Sequence, residues 1–488
     1  MTRQIRILAG AFLVLFGLLA IQVNYLQVFA ADDLANHQAN KRLLIEEHEI
    51  DRGLILAADR QTVLARSRET DDELRFLRRY PEAELYAHVT GYHSFVFGRA
   101  EVEQSFNQFL SGRADELFGR RLIDDILGRD RRGASVVTTL RPRLQRIAAR
   151  SLGQREGAVA AIDPRSGNVL ALVANPSYNP NVLSSHDGPS IRESWKRLNA
   201  DPDKPLVSRA NDELFAPGSI FKVVTAAAAL ENGIRPDTTF PNPRELDLPQ
   251  TDRSLQNFGG SHCLGGASQI TLAQALEVSC NVTFAQIGLE VGADALVEQA
   301  NRFGFSGDIP FDIPFAEGQI PPASDFELDL PGVAQSAIGQ RDVRTNVLHM
   351  ALIAGSIGRD GVMMRPGLVQ EIRDPSGRVT RSFGPEPYGE PLSARNARAL
   401  TEMMESVVTS GTGTSAQIPG LRVAGKTGTA QTESGPPHAW FVAFAPAIDP
   451  EIAVAVVVLN GGDLGDEATG GAEAAPIARD VIEAAVRG

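Results

Sequence analysis

Cysteine is nearly absent from this chain of 488 residues: there are two, Cys263 and Cys280. So few exclude a fold held together by a disulfide framework. Aromatic residues are scarce, at 6% against 43% hydrophobic residues overall, so the core is chiefly aliphatic and nothing in the composition marks disorder. Positive charge does not dominate. With a formal net charge of −13 the chain is unsuited to gripping a phosphate backbone, and no nucleic-acid partner is expected. There is no internal repeat and no low-complexity tract. Long apolar runs are missing too, apart from one at the N-terminus; Val454–Leu459 is too short to span a bilayer and reads as a buried strand.

The N-terminal run is informative. From Ile7 to Ala31 there is no charged residue, and Ile7–Ile21 is almost wholly apolar. A bilayer core needs roughly 20 mostly apolar helical residues. Arg3 and Arg6 precede the span and Asp32 and Asp33 follow it, which places the long C-terminal part outside the cytoplasm. The expectation is a tail at 1–6 and a single-pass signal anchor in the cytoplasmic membrane at 7–28. Cleavage after Val28-Phe29-Ala30 is the alternative, disfavoured because the run exceeds a usual signal-peptide core.

The rest divides into two regions, 29–153 and 154–488. The first is mixed and rich in arginine. Ala87–Tyr92 and Ser135–Leu140 read as strands, Gly128–Gly133 as a surface turn, and Pro142 opens a helix running through Arg150. The second begins with a hairpin: Ala158–Ile162, the turn Asp163-Pro164-Arg165-Ser166-Gly167, and Asn168–Val173. A helix-rich middle follows. Strands return after Arg422-Val423-Ala424, at Trp440–Phe444 and at Ile452–Leu459, before a closing helix at Ala474–Val486. This order predicts an α+β fold, an antiparallel sheet of about five strands covered by helices.

Three polar clusters carry chemistry. Ser219-Ile220-Phe221-Lys222 stands at the first turn of a helix, after Pro217-Gly218 and before the apolar Val223–Leu230. Lys222 shares a face with Ser219. A desolvated lysine can lose its proton and act as base toward a serine nucleophile, and the helix N-terminus favours the developing negative charge. Ser279-Cys280-Asn281 breaks two helical runs, where a hydroxyl and an amide can enter a cleft. Lys426-Thr427-Gly428-Thr429 follows a strand; its lysine suits a substrate carboxylate, and its glycine a close approach to substrate backbone. The N–H groups of Ser219 and Thr429 can form an oxyanion hole. Each cluster alone has a bland reading: a surface serine and lysine, a helix cap, an edge-strand turn. Their order, Ser-x-x-Lys, Ser-x-Asn, Lys-Thr-Gly, is a signature of penicillin-binding proteins and serine β-lactamases.

Here the chain resembles class B penicillin-binding proteins, the monofunctional peptidoglycan D,D-transpeptidases, and most of all the actinobacterial penicillin-binding protein A type. Arg52-Gly53 through Leu64-Ala65 and Glu103 resemble N-terminal signatures of that class. Ala158–Val173, Ser336-Ala337-Ile338-Gly339-Gln340, Trp440-Phe441 and Gly470-Gly471 resemble segments of its transpeptidase domain. The resemblance implies a sheet sandwiched by helices with an all-helical subdomain, preceded by a smaller mixed α/β interaction domain. It implies that Ser219 acylates on D-Ala-D-Ala stem peptides, in division or septal growth, and on β-lactams as covalent inhibitors. Lys222 would be the base and Ser279 a proton relay. Asn281 would orient the substrate amide, while Lys426, Thr427 and Thr429 would bind the substrate carboxylate. No metal or organic cofactor is implied. Ser208-Arg209-Ala210 and Ala216 depart from the family's habits without removing a catalytic group. Polymerisation of the glycan would fall to a partner, a glycosyltransferase or division protein held by the N-terminal domain.

Cys263 and Cys280, 17 positions apart, lie on the oxidising side in this topology. A bridge is the expected state, with two free thiols as the alternative. His438 reads as a strand-edge histidine, and Asp463, Asp466 and Glu467 as a solvated loop. The rival functions are a D,D-carboxypeptidase or β-lactamase, for which no deacylating glutamate can be assigned, and a non-catalytic penicillin sensor or division scaffold.

Overall fold

The computed structural model describes residues 2–30, 48–72, 74–117, 131–432 and 435–488. Asp32, Asp33 and the first half of the Gly128–Gly133 stretch lie outside these. Helix α1 (Thr2–Asn24) continues as a wider turn over Tyr25–Phe29. From Arg3 to Gln27 it is long and apolar enough to cross a membrane, and none of its most apolar stretch is buried against the protein.

The strands are β1 (Ile55–Leu56), β2 (Val63–Glu69), β3 (Phe76–Arg79), β4 (Ser135–Thr138), β5 (Gly157–Ile162) and β6 (Val169–Asn175). Further on come β7 (Val369–Arg373), β8 (Val379–Ser382), β9 (Ala424–Ala430), β10 (His438–Ala445) and β11 (Ile452–Val458). One mixed sheet has the order β8-β7-β4-β1-β2-β3. Only β1 and β4 pair in parallel. Its β7–β8 hairpin comes from beyond residue 154, with Ile372 opposite Val136 and Arg373 opposite Ser135. The N-terminal sheet is therefore completed by the second region, across the division expected at 153/154.

The two N-terminal signature stretches meet in this region. Glu103 is fully buried. Its carboxylate accepts hydrogen bonds from Arg52 Nε at 2.5 Å, Arg78 Nε at 2.6 Å and the Tyr80 hydroxyl at 3.2 Å. Burial pushes its carboxyl up, but Arg78 and Arg52 outweigh that and hold it below the usual range. Nearby the structure corrects one expectation: Ala87–Thr90 is a helical turn, not a strand. It is closed by Gly91 at φ +67°. All four residues are buried, so no exposed face marks their period in the sequence.

The second sheet has the order β9-β10-β11-β5-β6 and is antiparallel throughout. Alternation along its strands feeds two cores. Val159, Ala161, Val454 and Val456 pack with helices α2 (Pro142–Leu152) and α8 (Ala475–Val486). Ala158, Ala160, Ala453 and Ala455 face the other way, into the core that holds α3 (Lys222–Glu231), α6 (Val347–Gly358) and α7 (Ala394–Thr409). Both faces are covered, which is why these strands read as unbroken apolar runs. Helices α4 (Leu272–Glu277) and α5 (Asn281–Val291) belong to the helical part, which also holds two short ladders, Thr239–Pro241 with Gln269–Thr271 and Glu245–Asp247 with Ser254–Gln256.

Candidate active site

Ser219 sits in a tight turn, Gly218–Phe221, that runs directly into α3. Two glycines make this geometry accessible. Gly218 has φ +53°, and a Cβ there would fall 2.6 Å from the carbonyl oxygen of Thr429 on β9. Gly339 has φ +72°, and its Cβ would meet the carbonyl oxygen of Gly218. The Gly218 N–H donates to the Gly339 carbonyl at 2.8 Å, and Trp440 Nε1 donates to Ala216 O at 3.1 Å. The turn is thus clamped between edge strand β9, its neighbour β10 and the Ser336–Gln340 loop. Ser219 is half-buried, and its hydroxyl makes no hydrogen bond among the described residues.

Lys222 is completely buried behind it. Its Nζ donates to the Ser279 carbonyl and to Asn281 Oδ1, both at 2.7 Å, and lies 3.4 Å from Ser279 Oγ. The Phe284 ring centroid is 5.5 Å away. From β9, the equally buried Lys426 donates to the same Ser279 Oγ at 2.8 Å and to the Thr427 carbonyl at 2.8 Å. One hydroxyl therefore joins all three sequence clusters. Ser279 achieves this at φ +59°, a conformation that is uncommon for a residue with a Cβ. Neither lysine has a carboxylate partner among the described residues. Burial drives Lys222 well below an ordinary lysine, and the charge of Lys426 adds to the effect. Burial brings Lys426 down to about 7.

Donor counts show what remains open to a ligand. Asn281 Oδ1 takes Lys222, and one Nδ2 hydrogen serves the Gln256 carbonyl at 3.2 Å, leaving the other. Two of the three Lys426 hydrogens are used. Thr427 Oγ1 pairs with Thr412 Oγ1 at 2.5 Å. The Thr429 carbonyl faces Gly218. In an extended residue the N–H points to the same side, so the Thr429 N–H also faces the Ser219 turn. The N–H of Ser219, in the first turn of the helical segment, has no intrahelical acceptor.

Gly428 also has a packing role. A Cβ there would meet Ile220 Cγ2 at 2.8 Å and Trp440 Cβ at 3.0 Å. The glycine lets β9 lie flat on the serine turn. Sequence reasoning also missed Thr412 and Phe284, because a hydroxyl and a ring beside two lysines leave no mark in the order of motifs.

Cys263 and Cys280 are joined as a disulfide, Cα atoms 6.0 Å apart. Asn257 Oδ1 accepts from Val282 N–H at 3.0 Å on the same segment, so loop 256–263 braces the residues flanking Ser279. Replacing both cysteines by serine is expected to lower stability by about 3 kcal/mol for a loop of this length and to slow acylation by penicillin. A denaturant titration and an acylation time course measure the two effects, and a bridge without influence on either has no bracing role.

Known proteins resemble this chain in sequence and fold. Residues 157–483 match the penicillin binding protein transpeptidase domain, and residues 52–136 the penicillin binding protein A dimerisation domain. The chain is 40% identical to the peptidoglycan D,D-transpeptidase PbpA of Mycolicibacterium smegmatis, over 100% of this chain and 99% of that one. It is 40% identical to PbpA of Mycobacterium tuberculosis, with both chains fully covered. Among solved structures it is similar to M. tuberculosis penicillin-binding protein A as the ceftriaxone acyl-enzyme (TM-score 0.86, 39% identity, 91% of this chain and 100% of that one). The penicillin G acyl-enzyme of that protein gives a TM-score of 0.84 at 40% identity, over 90% of this chain and 100% of that one. The buried two-lysine site, the sheet that carries it and these full-length relatives together establish that the chain belongs to the class B penicillin-binding proteins.

Proposed function

We infer that the chain is a peptidoglycan D,D-transpeptidase that cross-links stem peptides through an acyl-enzyme on Ser219. The observation that carries this reading is the pair of buried amines converging on Ser279 Oγ beside a half-buried serine. Neutral Lys222 takes the Ser219 proton as Oγ attacks the penultimate D-alanine carbonyl. The oxyanion rests on the N–H groups of Ser219 and Thr429. As the C–N bond breaks, the proton passes from Lys222 through Ser279 Oγ to the leaving D-alanine amine. Lys426, Thr427 and Thr429 hold the terminal carboxylate, and the spare Asn281 N–H holds the substrate amide. An amine from a second stem peptide then attacks the ester and loses its proton to the same relay, which restores Ser219. A β-lactam follows the first half of this path and leaves slowly.

Intact-mass analysis after exposure to a labelled penicillin, with peptide mapping, tests the assignment. One adduct is expected, on the peptide containing Ser219, lasting minutes to hours and absent from Ser219→Ala. An adduct elsewhere would defeat the reading; sub-second turnover would favour a β-lactamase.

Helix α1 holds the enzyme in the cytoplasmic membrane, with Arg3 and Arg6 inside and the catalytic region outside. The N-terminal sheet, with no catalytic cluster of its own, is the surface for a glycosyltransferase or division partner. A pull-down on the full chain that recovers neither would count against that assignment.

A further inference from the structure

The catalytic site makes no use of the β2–β3 hairpin, yet this hairpin carries an unusual charge arrangement. Arg66 stands directly opposite Arg79 across the ladder, and Arg68, two residues along β2, shares their face. Like charges placed opposite one another destabilise a strand pair. All three arginines are exposed, and none makes a hydrogen bond or ion pair among the described residues. Their neighbours are occupied: Arg75 bonds Glu69, and Arg78 bonds Glu103. The uncompensated charge stands out on a chain whose net charge is −13.

Arg66, Arg68 and Arg79 line a cleft of about 510 Å³ together with Tyr80 and Asn181. Its wall is firmly built. Asn181 Oδ1 accepts the Tyr80 N–H at 3.0 Å and its Nδ2 donates to the Tyr80 carbonyl at 3.0 Å, which fastens the hairpin to the Pro180–Val182 turn of the transpeptidase region. The Tyr80 hydroxyl is in turn held by buried Glu103. Planar guanidinium groups gathered along one cleft favour carboxylates, which they can bind in paired hydrogen bonds.

We propose that Arg66, Arg68 and Arg79 form a docking site, separate from the catalytic serine, for the carboxylate groups of a peptidoglycan strand. The proposal rests on the transpeptidase reading, because uncross-linked stem peptides present free carboxylates at intervals along one glycan chain. A strand held here by one stem peptide raises the effective concentration of the others at the catalytic site.

The test is co-sedimentation of the full-length enzyme, in detergent, with purified cell-wall sacculi. The triple variant R66Q/R68Q/R79Q is expected to bind roughly tenfold more weakly at low salt, the combined scale of three exposed charge contacts. It should acylate with penicillin at the parent rate, which shows that it is folded. The parent should lose the same binding on sacculi whose carboxylates have been converted to amides, an arm that alters no residue of the protein. Undiminished binding by the variant, or equal binding of the parent to amidated sacculi, overturns the proposal. So does a loss seen with phosphatidylglycerol vesicles but not with sacculi, which would assign the cleft to lipid headgroups. Cleft-dependent binding by a parent that takes no penicillin would uphold the site and count against the transpeptidase reading alone.

Discussion

Lys222→Met is expected to slow acylation by penicillin by roughly 10²- to 10⁴-fold, the usual range for a lost general base, while leaving the protein folded. Methionine matches the lysine stem in volume and leaves no unpaired charge in the buried site, so the fold survives. What disappears is the acceptor for the Ser219 proton. The pH profile carries the same information. The kcat/KM for acylation rises as Lys222 loses its proton and falls as Lys426 loses the charge that binds carboxylate. Both amines are depressed by burial, Lys426 to about 7, so the falling limb lies near neutrality in the free enzyme instead of in the range of a free lysine. Lys426→Arg, charged at all working pH, should move that limb upward. An acylation rate for Lys222→Met within a few fold of the parent, measured by stopped-flow with a fluorescent penicillin, would remove Lys222 as the base.

The second large effect is on stability. Glu103→Ala is expected to cost about 3–5 kcal/mol, because it leaves Arg52 and Arg78 charged, buried and without their carboxylate. Glu103→Gln should cost less, since an amide oxygen still accepts one guanidinium hydrogen bond. The pH dependence has a definite sign. Glu103 is held below its ordinary value in the folded state, so its contribution is present above the unfolded carboxyl range and fades as pH falls through the folded value. Chemical denaturation of the parent and both variants at neutral and acid pH measures this, and a Glu103→Ala midpoint equal to the parent's would show that the buried network is dispensable. The mixed sheet carries the β2–β3 hairpin and is closed by β7 and β8, so this loss should loosen the transpeptidase region as well.

Much of the second sheet was legible because its strands are apolar on both faces and its breaks are marked by Pro, Gly and Asp. The hairpin at Asp163–Gly167, the helix opened by Pro142 and the helix after Ser219 follow from such local rules, as do the span at the N-terminus and the acylation chemistry implied by motif order. These depend on a residue's neighbours in the chain.

Other features depend on groups far apart in sequence. That Ser279 Oγ accepts from Lys426, 147 positions away, and lies beside Lys222 is a property of packing. So is the placement of Gly428 against Ile220, the Thr412–Thr427 contact, and the addition of β7 and β8 to an N-terminal sheet. The sequence alone determined which side chains can do the chemistry, because propensity, polarity and spacing are local. Only the tertiary structure decided which amines lose their water and which hydroxyl they share, because desolvation and hydrogen bonding are set by whatever the fold brings alongside.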